Sequence, residues 1–546
     1  MAGKSDITLL VDGVDESDAD AVELTRLAGV LAKRIPRLCE LRTVYDGEDL
    51  VPGQHVPQNI RNNAKSRAAY KRNLRFASVN IARPMVDSVT IRQRPNGFRL
   101  LDDERERSVD AEREWRSCRM TLKARDLFAQ RNLYGRSYAM VCRGGGKDYV
   151  QPLSPWQCVM EPDGSAAIVY GYDELSGVES LTIYRLDYAD DGSVSGVHSR
   201  VAQLESGSRS IPAESDTETI YGVANGDRKG DFSFTPGYKW VSEVNRNWDY
   251  AAQCGTLPIV GLSTSDGLGL FEPYLSNIYR IAQLNFDRTC VMMTQAFRQR
   301  AFKNFPRATY EENDIDVQEG RKKVGDKIDF AELYVANPAG LWVLPDGVDI
   351  WESQSTDVTP WTTALQNEMK QLADMSMTPF GINSNDTGGS ASGADLKREG
   401  VLFKAQDLNE RADDALVRIM RMALVLDGKT NAADEDFTTL WLPIMPIQYS
   451  DPASAASQLN GIVSGDMIKR KVLGWSEQDI EDDRRALDMQ TLNGTAQAVA
   501  AGTNNGTQRN DVDDAFDALA GAPPSTTATV EPNDGIPVPQ VASGGE

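Results

Sequence analysis

The chain has 546 residues, with 58 Lys plus Arg, 80 Asp plus Glu and a formal net charge of −22. At ordinary domain sizes this is enough for about three or four domains, or for one large multi-part subunit. So acidic a chain is ill suited to gripping DNA or an anionic membrane, because neutralising phosphates needs a surplus of basic side chains, and 40% hydrophobic with 25% charged residues excludes wholesale disorder.

In chain order, an amphipathic helix is expected over 17–41, with Val22, Leu24, Leu27, Leu31 and Leu38 at helical spacing and acidic residues at its start. Pro36 should break or kink it, and Tyr45-Asp46-Gly47 reads as a turn. Helical pieces follow over 60–89, interrupted at Pro84, and Pro95-Asn96-Gly97 is a second turn. Residues 102–133 read as one long charged helix with an acidic start and a basic end, as the helix dipole favours, stopped by Gly135. Short β-branched or aromatic runs over 137–143, 149–153, 158–161, 167–172 and 180–186 predict strands, weaker strands continue to 250, and 257–262 is a buried-strand candidate.

A second long helix is expected from Pro273 to about Lys303, ended by Pro306. Mixed structure over 304–357, a helix over 360–375, a Gly/Ser-rich loop to 393 and a third long helix over 394–426 follow, with Gly428 as its stop. The stretch 440–452 is extended, short helices cover 452–490, and the Ala/Gly/Asn/Thr/Pro-rich tail from 491 is expected to be disordered. The fold class is therefore α+β, predominantly helical.

Chemical motifs are sparse. His55 and His198 are the only histidines, so a His-based metal site or a Ser-His-Asp triad would have to use one of them. Cys39, Cys118, Cys142, Cys158, Cys254 and Cys290 form no C-x-x-C pair and read as reduced and structural. Gly144-Gly145-Gly146-Lys147 continues into Asp148 and more strand, which fits a hairpin tip rather than a phosphate loop. The acidic runs at 311–316 and 479–483 read as solvated charge, without EF-hand spacing. No apolar run approaches the roughly 18–20 residues of a membrane span, and the N-terminus turns acidic without an apolar targeting segment, so a cytosolic chain is expected. Basic residues gather at Arg280, Arg288, Arg298, Arg300, Lys303 and Arg307, then at Arg321, Lys322, Lys323 and Lys327. In a ring each of these would be repeated once per subunit, turning a modest patch into a belt of charge.

The order of segments carries more than any motif. Asn80-Ile81-Ala82-Arg83-Pro84-Met85-Val86-Asp87 and Gly97-Phe98 precede a charged helix. Tyr134-Gly135-Arg136-Ser137-Tyr138-Ala139-Met140-Val141 opens a β-rich part, and Leu257-Pro258-Ile259-Val260 leads into a long helix. After a compact insert come Met377-Thr378-Pro379-Phe380-Gly381-Ile382, a Gly/Ser-rich loop and another long helix. Over about 40–490 this order resembles the portal proteins of tailed bacteriophages, of the kind typical of phages of actinobacteria.

The resemblance implies a ring, usually of twelve subunits, at one capsid vertex. Residues 1–39 would be an N-terminal, partly flexible region, 40–272 wing, 273–303 stem, 304–357 clip, 358–379 second stem helix and 380–393 the tunnel loop. Residues 394–450 would return to the wing, 451–490 would form the crown and 491–546 the tail. Double-stranded DNA would pass through without sequence readout during packaging and ejection. The tunnel loop would face it with Asn383, Ser384, Asn385, Asp386, Thr387 and Ser390. The stem would add Arg288, Arg298, Arg300 and Lys303, and the clip would dock the terminase motor and head-tail connector through Arg321, Lys322, Lys323 and Lys327. The major capsid protein would surround the ring; the implied locations are the virion and, during assembly, the host cytoplasm. No cofactor, metal, membrane contact or enzymatic activity is implied. The competing classes are another phage head or tail assembly protein and a carboxylate-dependent, metal-assisted hydrolase.

Overall fold

The computed structural model describes residues 8–48, 77–100, 108–144, 147–224, 232–241, 248–296, 300–303, 309–328, 349–352, 357–378, 380, 391–444 and parts of 456–491. The chain divides into two units, residues 1–448 and 449–546.

In the first unit, Asp18 starts helix α1 (Ala19–Asp46) by accepting from the Asp20 and Ala21 amides, and Gly47 ends it at φ 74. The helix continues through Pro36, against the expectation of a break there. Leu24, Leu27, Leu31, Ile35 and Leu38 on its inner face are all 0–1% exposed. At about 1.5–3 kcal/mol each, their burial outweighs the roughly 3 kcal/mol of an interior proline. This face packs on a five-stranded antiparallel sheet of order β4-β5-β6-β7-β8. Its strands are β4 (Cys158–Met160), β5 (Ala166–Asp173), β6 (Val178–Tyr188), β7 (Val194–Glu205) and β8 (Lys239–Trp240). The register is continuous from β5 to β6 and shifts once between β6 and β7, at Asp187/Tyr188. The twelve-residue β7 exceeds the weak strands expected there; its side chains are mostly half-buried, so the sequence shows no clean alternation.

The second core of this unit is built on a three-stranded sheet of order β3-β2-β9: β2 (Arg136–Gly144), β3 (Lys147–Leu153) and β9 (Ile259–Ser263). Gly144 pairs with Lys147, so the Gly-rich stretch is a hairpin tip, as expected. The expected 102–133 helix is two helices among the described residues, α3 (Val109–Ser117) and α4 (Met120–Tyr134). Arg119 breaks it at φ 55, a conformation that no Gly or Pro announces. Across this sheet and the two helices lies a helix of 36 residues, which we label α10 (Ala391–Leu426). It ends where Gly428 adopts φ 97. After it β12 (Phe437–Trp441) pairs antiparallel with β1 (Pro95–Leu100), with a register shift between Pro95 and Phe98 where a turn was expected.

A polar seam ties this core together. Helix α2 (Ala82–Thr90) leads to Gln93, which meets Arg131 and Asn132 of α4 and Asn409 of α10. Arg131 is fully buried. Its guanidinium donates to Leu408 O (2.9 Å), Gln93 Oε1 (3.0 Å) and Asn132 Oδ1 (3.2 Å) and lies 5.3 Å from the Phe128 ring centre. Burial pushes its pKa down to about 9, which leaves it protonated at neutral pH.

At the α1 start, Arg200 bonds Asp18 and Asp20 (3.1 Å each) and stacks 3.9 Å over the Trp240 ring. Arg185 joins Asp20, and His198 places Nδ1 2.8 Å from Asp187 and Nε2 3.2 Å from Asp20. Both ring nitrogens can donate only in the imidazolium. Hydrogen bonding to Asp20 accordingly raises the His198 pKa, and the reciprocal bond holds Asp20 well below the usual carboxylate range. A raised base stabilises fully below its unfolded pKa, about 6.5, and loses that contribution as pH rises through the folded value. The lowered Asp20 contributes above about pH 4 and loses its share only in strong acid. Melting of the full chain is therefore expected to weaken as pH rises from 6 to 9, and His198→Gln should flatten that slope. An unchanged slope in the variant would remove His198 as its source.

In the second unit the described residues include helix α11 (Gly465–Lys471), capped by Ser464. Lys469 pairs with Asp483 (2.6 Å) and Arg484 with Asp466. These pairs draw Asp483, from the 479–483 acidic run, into ordinary surface ion pairing; Asp479, Glu481 and Asp482 lie outside the described residues.

Candidate functional site

The segment that leaves the two cores and returns is a helical hairpin. It starts from a close-packed joint. Gly135 has φ 82, and a Cβ there would lie 2.2 Å from Gly267 O; a Cβ on Gly269 would lie 2.2 Å from Leu133 O. Thr264 N donates to Gly135 O and Leu270 N to Asn132 O. Only glycines let these backbones meet, and that contact sets where the next helix begins. Glu272, in a 3₁₀ turn over Glu272–Tyr274, accepts from Gly269 N (2.8 Å) and from Arg37 Nε (2.6 Å). Pro273 lies in that turn, where its missing N–H costs nothing.

Helix α7 (Leu275–Ala296) follows, and α9 (Thr359–Ser376) packs against it. Tyr274 OH donates to Met375 O (2.9 Å), and Arg280 pairs with Glu368, so the helices run antiparallel. Ile278, Ile281, Ala282 and Phe286 are buried on one side, and Leu365 and Leu372 on the other. At 22 residues α7 is about 33 Å long. It is shorter than the expected 273–303 helix, because Arg300–Lys303 forms strand β10, paired antiparallel with β11 (Asp349–Glu352). The register sets Arg300 opposite Glu352 and Lys303 opposite Asp349.

Between β10 and β11 lies a small hairpin. Thr309 bridges Lys327, Tyr310 N donates to Asp326 O and Gly325 N to Tyr310 O, both at 2.9 Å. Its excursion carries the short helix α8 (Ile315–Gln318). Arg321 bonds Asp316 (3.0 Å) and also Glu319.

At the other end of the large hairpin, α9 stops where Met377 takes φ 52, with Thr378 N bonded to Ala373 O. Lys404 of α10 reaches across to Ser376 O (2.9 Å); burial lowers its pKa.

The expected DNA-facing residues Asn383, Ser384, Asn385, Asp386, Thr387 and Ser390 lie outside the described residues, as do Arg298 and Arg307. Arg288 is half-buried and folded onto its own helix, where Nη2 donates to Asn285 Oδ1 (2.7 Å). Arg300 and Lys303 share β10. Arg321, Lys322, Lys323 and Lys327 share one arm of the small hairpin.

The six cysteines are unbridged, and burial pushes the thiol of Cys39 up to about 12 and that of Cys254 up to about 11. Among the described residues no group of three or more His, Cys, Asp or Glu is arranged to hold a metal ion. No described helix is long and apolar enough to cross a membrane. A cleft of about 510 Å³ between α1, α4 and the five-stranded sheet is lined by Arg42, Trp156, Arg209 and Glu214 among others. Its charges are internally paired: Glu214 accepts from Arg42 (3.2 Å), Tyr134 (2.9 Å) and Ser154 (3.1 Å), and Arg209 pairs with Glu174 (2.7 Å).

No protein-family model matches the chain. No curated protein matches it either. Solved structures that align with it include the neck of an empty gene transfer agent particle computed with C6 symmetry, at 15% identity, a TM-score of 0.33 and coverage of 78% of this chain and 94% of that one. Another is the virion of a native gene transfer agent particle, at 14% identity, a TM-score of 0.35 and coverage of 81% and 93%. Scores of that size do not establish a common fold.

Proposed function

We propose that the chain is a portal-type subunit: a structural, non-enzymatic protein that assembles into a ring at one capsid vertex and passes double-stranded DNA. The observation that carries this reading is the antiparallel α7–α9 pair whose connection leaves and returns through β10 and β11 and carries the small 309–328 hairpin. In the proposed ring α7 and α9 form the stem, and β10, β11 and the small hairpin form the clip that meets the packaging motor and later the head-tail connector. The two cores form the wing, against the major capsid protein, and the loop assigned to the tunnel is 380–393. The net charge of −22 suits a conduit, because a wall that binds phosphate strongly would hold back a sliding polyanion.

The test is the native mass of the purified full chain, with negative-stain images of the same sample. A dodecamer of 60.0-kDa subunits, about 720 kDa with a central hole, is the expected result. A compact dimer or tetramer without a channel would overturn the reading.

A further inference from the structure

Helix α9 has two faces of opposite character. Leu365, Met369 and Leu372 lie along the side that packs into the first core, against α7. Roughly half a turn away, at the 3.6-residue repeat, stand Thr363, Gln366, Asn367, Lys370, Gln371 and Asp374, all exposed. Among the described residues none of these six side chains is engaged in a hydrogen bond or an ion pair. Four are neutral, and the lysine and aspartate cancel, so the stripe has no net charge in a chain of net −22. The neighbouring helices differ. The solvent side of α10 carries the Asp407–Arg411 and Asp414–Arg418 pairs, and the exposed Arg280 of α7 is taken up by Glu368 from the flank of α9.

The composition of the stripe selects its neighbour. A surface that holds another protein offers apolar or aromatic anchors at its centre, and these six residues include none. A surface that grips DNA needs a surplus of bases, because the affinity comes from counterions released as phosphates are neutralised. Uncharged amides and hydroxyls can still donate to phosphate oxygens, with no sequence readout and no net electrostatic hold. A row of such groups is the wall along which a duplex can slide.

We infer that the Thr363–Asp374 face of α9 is the DNA-facing wall of the channel. In the ring proposed above, on which this assignment rests, the contact belongs to this neutral stripe rather than to Arg288, which is folded onto its own helix. From Thr363 to Asp374 the helix rises about 17 Å, a length over which a duplex presents about ten phosphates. Repeated in every subunit, the stripe surrounds the duplex with hydrogen-bonding groups whose charges sum to zero.

The test adds charge to that face in the full chain. Q366K/Q371K places two lysines per subunit on the stripe, and S117K/L175K places two at exposed positions on α3 and on the β5–β6 turn. Rings of each are titrated with a fluorescent linear duplex and with a covalently closed circle, which has no end to thread. Q366K/Q371K rings are expected to bind the linear duplex at least about tenfold more tightly than unaltered rings at about 50 mM salt, to lose that gain by about 200 mM, and to show no gain for the circle. S117K/L175K rings should show no preference for DNA with ends. No gain on the linear duplex, or an equal gain on the circle, would overturn the α9 assignment and leave the ring standing. A Q366K/Q371K chain that melts like the unaltered chain but no longer assembles would assign the face to a neighbouring copy, which also overturns it. Should the first pair melt lower, T363K/N367K repeats the comparison on the same face. An unaltered chain that forms no ring has no channel to line, and both the ring reading and the α9 wall then fall.

Discussion

Gly135→Ala is expected to leave little folded protein. The residue sits at φ 82, where an L side chain costs about 1–3 kcal/mol, and the added Cβ would fall 2.2 Å from Gly267 O and 2.5 Å from its carbonyl carbon. Both obstacles are backbone, so no rotamer change relieves them. The α4–β2 joint and the loop that launches α7 would have to separate, for a combined loss of about 4 kcal/mol or more. Gly207→Ala is the matched control. It has φ 65 with nothing within 4 Å of an added Cβ, so it incurs only the left-handed backbone cost of about 1 kcal/mol. Soluble yield and thermal melting of the two variants decide the matter; equal melting would mean that the Gly135–Gly267 approach is looser than described.

Arg131→Ala should cost about 3–5 kcal/mol in unfolding free energy. It leaves the Asn132 Oδ1 without its Arg131 donor, at about 1–3 kcal/mol for that unsatisfied group, strips the helical Leu408 carbonyl of its second donor, and opens a cavity beside Phe128. Removing a buried cation with no carboxylate in bonding distance returns part of that loss. Arg131→Met separates the two effects, because it refills much of the volume while still deleting the donors. It should fall between alanine and the unaltered chain in denaturant unfolding. A methionine variant more stable than the unaltered chain would show that desolvating the guanidinium outweighs what its hydrogen bonds supply.

Local patterns in the sequence predicted the elements well where each residue's environment is set by near neighbours. The strands at 136–144, 147–153, 166–173 and 259–263 and the helix at 359–376 fall within a few residues of expectation. The misses are tertiary. Pro36 stays helical because five neighbouring side chains are buried against a sheet formed more than a hundred residues later. Arg119 ends a helix that composition would continue. Residues 300–303 leave the helix to pair with 349–352, a partner that no local window contains. The candidate site was legible as a segment order and as basic clusters. Its organising feature was not: that the acidic and basic runs lie on the two arms of one hairpin emerges only when Thr309 is set against Lys327. Gly135 and Gly269 were visible as glycines, but the backbones that require them lie across the fold.

The Arg131–Leu408 bond also bears on the order of synthesis. Its two residues are 277 positions apart, so α4 leaves the ribosome long before its partner exists. At translation rates of about 5–20 residues per second, that is a wait of roughly 15–55 s. During that time the second core lacks the face that α10 supplies, and a buried arginine has no helix carbonyl to receive it. The nascent chain thus carries an open apolar surface for most of its synthesis. A ribosome stalled anywhere between 144 and 408 would release a fragment disposed to aggregate, in which neither the polar seam nor the β1–β12 pairing can form.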